Sequence, residues 1–268
     1  MRVVSLINGS LSSETSSIYA LHYAKKLECK VSLVYVKEKN YSKDLDKSFE
    51  NIKHSADFLE VDIELLVLEN LKEFKGFVKS KDVDMLFCSS RHNHSIFERS
   101  FAQTIVKLDL EVDLAIMKII KLFRANSVDN IILPIRGAKL SVKKFTLFYT
   151  FALAYDAKAE IYSIDKLSKS QLNKVDSIKI KNRLKELVFD LRHYFRIAVI
   201  MNFKFNLKHD YTLAEGEKIK THIVENGFDL AIVGAHHNKN FFGAHPIDTL
   251  FENPIVNTIY FIAHKEEL

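Results

Sequence analysis

Apolar residues along this chain switch between two spacings: short runs of adjacent aliphatic side chains, and longer stretches in which they recur every three or four positions. The runs at 2–7, 30–36, 61–68, 83–88 and 113–119 predict strands. The helical period at 12–28, 43–59, 71–79 and about 98–108 predicts the helices between them. Strands alternating with helices predict a mostly parallel sheet covered on both faces.

The pattern then begins again. Residues 128–134 (VDNIILP) form a second β-run ending in Ile135-Arg136-Gly137, a helix follows to about Asp156, and 158–164 (KAEIYSI) is the next strand. Gly9 against Gly137 and Lys30 against Lys158 both give an offset of 128. Farther on, Cys88 in VDMLFCSSRH pairs with Gly234 in FDLAIVGAHH at an offset of 146, so the second copy is longer by 18 residues. The surplus falls within 168–195, a charged and apolar helical stretch. A period of this size is that of a domain, so the chain reads as a tandem duplication with its boundary at 123–127 and domains over 1–123 and 124–268. The expected fold is α/β, two doubly wound domains, each with a mostly parallel five-stranded sheet, packed as an intramolecular pseudo-dimer. A homodimer of such chains stays open.

Composition narrows the function classes. The 268 residues are 47% hydrophobic and 27% charged, which excludes disorder as the main state. The net charge of +5 is mild, and the lysine-rich stretches 139–144 and 169–183 are interrupted by apolar residues at helical spacing. They read as solvated helix faces, so neither a nucleic-acid nor a membrane partner is expected. Cys29 and Cys88 form no paired motif, and Cys88, ending an apolar strand, reads as a small core residue. With no cleavage site after the first strand and no apolar stretch long enough to cross a bilayer, the expected location is cytoplasmic.

In an open parallel sheet, ligands sit beyond the carboxyl ends of the strands. Both copies offer the same places: Asn8-Gly9-Ser10 and Arg136-Gly137 after the first strand, Val36 and Ile164 at the second, and 89–97 and 235–242 after the fourth. His92 and His94 recur in position as His236, His237 and His245. No carboxylate or thiolate accompanies them in a ligand pattern, so no metal is expected. No nucleophile elbow, P-loop or zinc-protease motif occurs, and 8–13 (NGSLSS) lacks the second glycine and the aspartate of an ATP-pyrophosphatase turn. No catalytic residue is assigned, and the chain is expected not to be an enzyme.

The arrangement resembles the universal stress protein family in its tandem form, over essentially the whole chain. The residues that carry it are clearest at 228–262: Asp229, Val233 and Gly234 match that family's fourth strand, Gly243-Ala244 its Gly-Ser pair, and Pro254 the proline before the last strand. Asp84, Cys88, Arg99-Ser100 and 114–117 occupy the same places in the first half, and Ile132-Leu133-Pro134-Ile135 resembles the family's first strand. The resemblance implies a cytoplasmic stress-response regulator, with ATP or a related adenine nucleotide held by a G-x2-G-x9-G-[ST] loop whose glycines let backbone amides close on phosphate.

This chain departs from that loop. In the second half Gly234 is retained, His237 replaces the second glycine, Ala244 replaces the hydroxyl residue, and the loop is four residues shorter. In the first half Cys88 and Arg91 replace both leading glycines, Ser100 alone survives of the Gly-Ser pair, and the loop is two residues shorter. The family's acidic residue after strand one is Asn8 in one half and Arg136 in the other. The resemblance therefore implies Pro134, Ile135, Arg136, Gly137, Ile164, Gly234, His236, His237, Gly243 and Ala244 as nucleotide contacts in the second half. Asn8, Gly9, Ser10, Val36, Ser89, Arg91 and Ser100 are their counterparts in the first, where loss of the pocket is the competing expectation. The other reading is a ligand-free protein-interaction scaffold with degenerate pockets.

Overall fold

The computed structural model describes residues 1–37, 44–90, 101–234 and 249–264. Through the first repeat the elements are β1 (Arg2–Leu6), α1 (Leu11–Lys26), β2 (Lys30–Val36), α2 (Leu45–Leu59), β3 (Ile63–Leu68), α3 (Leu71–Ser80), β4 (Val83–Ser90), α4 (Phe101–Lys107) and β5 (Asp113–Lys118). A 3₁₀ turn at Leu122–Asn126 leads into the second repeat. It comprises β6 (Asn130–Arg136), α5 (Val142–Ala154), β7 (Lys158–Lys166), α6 (Lys169–Leu172), α7 (Ser177–Asp190), α8 (Arg192–Ile200), β8 (Phe205–Thr212), α9 (Glu215–Glu225), β9 (Leu230–Gly234), α10 (Thr249–Glu252) and β10 (Asn257–Ile262).

Two compact units emerge. The first takes Met1–Ser127 with β10, and its strands lie in the order β3-β2-β1-β4-β5-β10. All pairings through β5 are parallel, and β10 runs antiparallel to β5 with Ile259 opposite Met117. The second unit takes Val128–Val233 and, among the described residues, 249–256, with strand order β9-β6-β7-β8. Each repeat thus supplies the five strands expected, and among the described residues the units hold six and four because β10, the last strand of the second repeat, lies in the first unit. Asn257 fixes it there. Fully buried, its Oδ1 accepts from the Ile120 and Lys121 amides at 2.7 and 2.9 Å, and its Nδ2 donates to Tyr19 and to the Lys121 carbonyl.

Right-handed crossovers fix the helix faces. In the first unit the chain steps outward through β2 and β3 and then back past β1 to β4. This places α1 and α2 on one face and α3 and α4 on the other. In the second, the step from β6 through β8 places α5, α7 and α8 on one face, and the return to β9 places α9 on the other. Buried Val3, Val4 and Leu6 in β1 and Ile131, Ile132 and Leu133 in β6 show that the central strands are covered on both sides.

Local chemistry repeats with the fold. Gly9 and Gly137 both take left-handed backbone (φ 76° and 56°) just past the first strand of their repeats. Glu28 and Asp156, offset by the same 128 residues, are left-handed (φ 52° and 51°) just past the first helix. Such a residue lets the following amides reach back to free carbonyls: Cys29 N bonds to Ala24 O at 3.1 Å and Ala157 N to Ala152 O at 2.9 Å. Among the described residues no helix is long and apolar enough to cross a membrane.

Candidate functional site

Register brings Arg136, Gly137 and Ile164 together at the carboxyl edge of the second unit. Arg136 pairs with Ile164 and Ile135 with Ser163 across β6 and β7, and the Gly137 amide donates to the Ile164 carbonyl at 3.3 Å. Pro134 and Ile135 are buried below them, and so is Ile164. Because side chains alternate along a strand, this edge presents different chemistry on its two faces.

On the α9 face, Arg136 Nε lies 3.1 Å from Glu215 Oε1. The arginine side chain is 44% exposed and the glutamate 1%. The contact is an ion pair by distance but is poorly aligned, and neither Glu215 oxygen accepts a hydrogen bond from a described residue. Glu215 opens α9, where the helix dipole favours a carboxylate. A buried carboxylate short of donors beside a half-exposed guanidinium can accept hydroxyl or amine hydrogens while the cation meets an anion.

On the α7 face, Ser163 Oγ donates to the Gly137 carbonyl at 3.0 Å and lies 3.2 Å from His209 Nδ1. His209 Nε2 faces Asp165 Oδ2 at 3.9 Å, and Arg183 Nε binds that same oxygen at 2.9 Å. Burial holds the His209 imidazole below its usual range, and nearby Arg183 adds to this, although Asp165 pulls the other way. Serine, histidine and aspartate here have the composition of a nucleophile triad. Ser163, however, is fully buried with its proton committed to Gly137, so this hydroxyl crosslinks two strand ends.

The corresponding edge of the first unit is closed by its own side chains. Asn8 Oδ1 accepts from the Ser10 amide at 3.0 Å, and Ser10 Oγ caps α1 by accepting from the Ser13 amide at 3.2 Å. Ser13 Oγ in turn donates to the Ser10 carbonyl and lies 3.2 Å from the Asn8 amide. Gly9 sits inside this turn. Val36 is buried at the end of β2, and Ser89 pairs with Met117 between β4 and β5. Cys88 is fully buried, and burial pushes its thiol up to about 12, as suits a core residue. Gly234 ends β9 and is buried. Arg91, His92, His94, Ser100, His236, His237, Gly243, Ala244 and His245 lie outside the described residues. Among the described residues no group of three or more His, Cys, Asp or Glu could hold a metal ion.

Sequence reading missed Glu215, Ser163, Asp165, Arg183 and His209. Strand alternation could have grouped Ser163 with Asp165, but nothing local in the sequence ties Glu215 to Arg136.

Solved structures place this architecture. A universal stress protein from Archaeoglobus fulgidus superposes with a TM-score of 0.62 at 11% identity, covering 98% of each chain. A functionally unknown protein from Pseudomonas aeruginosa gives 0.60 at 8% identity, over 98% of this chain and 92% of that one. The cytoplasmic domain of a prokaryotic cation chloride cotransporter gives 0.55 at 12% identity, over 99% and 96%. No family model matches the sequence, and no curated protein does. The chain has the fold of the universal stress proteins, in a two-repeat form.

Proposed function

We propose that this chain is a non-catalytic cytoplasmic regulator of the universal stress type that takes an adenine nucleotide, ATP or a relative, in its second repeat. The observation that carries the reading is Glu215, a buried carboxylate without a hydrogen-bond donor among the described residues, beside half-exposed Arg136. It supplies, from α9, an acid near the strand end where the resembling family carries one and this sequence has Arg136. Ribose hydroxyls or the adenine amine are donors of the kind Glu215 lacks, and Arg136 suits phosphate. The first repeat, whose turn satisfies its own amides, is read as having no ligand.

The test is thermal unfolding with and without magnesium ATP. ATP is expected to raise the midpoint of the natural chain, and Glu215→Gln, folded by its own ligand-free midpoint, is expected to lose that rise. An undiminished rise in Glu215→Gln would remove the site assignment. No rise in either protein would leave the ligand-free scaffold as the better reading.

A further inference from the structure

The helical segment that makes the second repeat longer has an unusual solvent face. Along α7 and α8, Leu187, Leu191, Tyr194 and Ala198 are buried at spacings of three and four, which fixes the inward side. The outward side should then be polar, yet it carries Ile178, Phe189, Val199 and Ile200 at 68%, 65%, 80% and 80% exposure. Lys181, Lys185, Arg192 and Arg196 are exposed on the same side. Arg192 lies over the Phe189 ring, 4.3 Å from its centroid, and donates to the Phe189 carbonyl at 2.9 Å.

Charge is concentrated here to a degree that the whole-chain figure hides. Residues 168–204 contain nine Lys or Arg and three Asp or Glu, a net of +6, against +5 for all 268 residues. The remainder of the chain is therefore close to neutral, at −1. The lysine-rich stretch that reads from sequence as a solvated helix face thus holds the protein's whole positive excess and interleaves it with exposed aliphatic and aromatic side chains.

We propose that the outward face of α7 and α8 docks on an anionic lipid surface, with Phe189, Val199 and Ile200 entering the headgroup boundary and the surrounding lysines and arginines meeting lipid phosphate and carboxylate. Neither helix crosses a membrane; each lies in the interface plane. Charge complementarity selects this occupant. A second copy would bring two faces of the same positive sign together across a two-fold axis, where they repel. A nucleic acid would satisfy the cations but leave the aliphatic side chains against a hydrated phosphate backbone, whereas a bilayer accommodates both.

The experiment is co-sedimentation of the full chain with vesicles of phosphatidylcholine, with and without phosphatidylserine. Binding is expected to the phosphatidylserine vesicles and to weaken with added salt. Lys181→Glu with Lys185→Glu is expected to reduce it by roughly tenfold or more. Phe189→Ser with Ile200→Ser, which leaves the charge unchanged, is expected to reduce it by about tenfold as well. All four positions are exposed, so each variant should keep the natural thermal midpoint. Equal binding to both vesicle types, or to neither, would overturn the proposal. Binding to a DNA or RNA oligonucleotide that ignores Phe189 and Ile200 would reassign the face to a polyanion. A concentration-dependent dimer lost in the Phe189 and Ile200 variant would reassign it to a second copy.

Discussion

Removing Arg136 should cost far more than removing its partner. Arg136→Ala leaves the Glu215 carboxylate, 1% exposed, without its nearest cation. Breaking a fully buried pair in this way costs about 3–5 kcal/mol. The first turn of α9 still favours the anion by about 0.3–1 kcal/mol, and water can enter where the half-exposed guanidinium stood. The expected loss is therefore about 2–3 kcal/mol, roughly a 30- to 150-fold rise in the unfolding constant. Glu215→Ala instead leaves an arginine that can turn into solvent, and the expected loss is about 1 kcal/mol. Replacing both by leucine removes the buried charge and should come within about 1 kcal/mol of the natural chain. Urea denaturation followed by far-UV circular dichroism suits a protein without tryptophan. Equal losses below about 0.5 kcal/mol for the two alanine variants would refute the claim that Glu215 is a buried charge held by Arg136.

Other sites give separate expectations. Asn257→Ala orphans the Ile120 and Lys121 amides and the Lys121 carbonyl, so β10 should come loose from the first unit at a cost of about 3 kcal/mol, visible as faster amide exchange across β5 and β10. Gly137→Ala puts a side chain on left-handed backbone at φ 56° and should cost about 1–2 kcal/mol in thermal unfolding, whereas Gly76→Ala, inside α3 with open space around it, should stabilise slightly. Burial, with a contribution from Lys25, lowers His22 from 6.5 to about 4. The unfolded chain therefore takes up a proton that the folded chain refuses. The contribution of His22 to stability is expected to be complete above pH 6.5 and to be lost as pH falls toward 4, by about 1–2 kcal/mol after allowance for partial exposure, and His22→Asn should flatten that slope.

Much of this was legible in the sequence, for identifiable reasons. Gly9 and Gly137 mark the same turn because only a residue free of Cβ strain takes that backbone easily, so the duplication could be read from two glycines. The run 158–164 announced β7, which spans Lys158–Lys166, because Ala159, Ile161, Tyr162 and Ile164 crowd one short stretch in which Glu160 and Ser163 are the buried polar interruptions. Each repeat supplies the five strands expected, but the pairing of β10 with β5 was not legible, since a strand's own pattern does not name its neighbour. The single helical stretch expected over 168–195 is divided among α6, α7 and α8, with Leu191 between the last two leaving helical geometry at φ −90° and ψ 9°. The place of Arg136 and Gly137 at the end of β6 was legible because a strand end and a glycine are local signals. Glu215 was not legible, because its place beside Arg136 comes from burial of a helix start against the end of a strand distant in sequence.

The most direct measurement is native mass spectrometry of gently purified protein titrated with magnesium ATP. One adenine nucleotide per chain, lost in Glu215→Gln, is the predicted result. A mass that ATP never shifts, or two nucleotides per chain, would contradict a ligand site built in the second repeat alone.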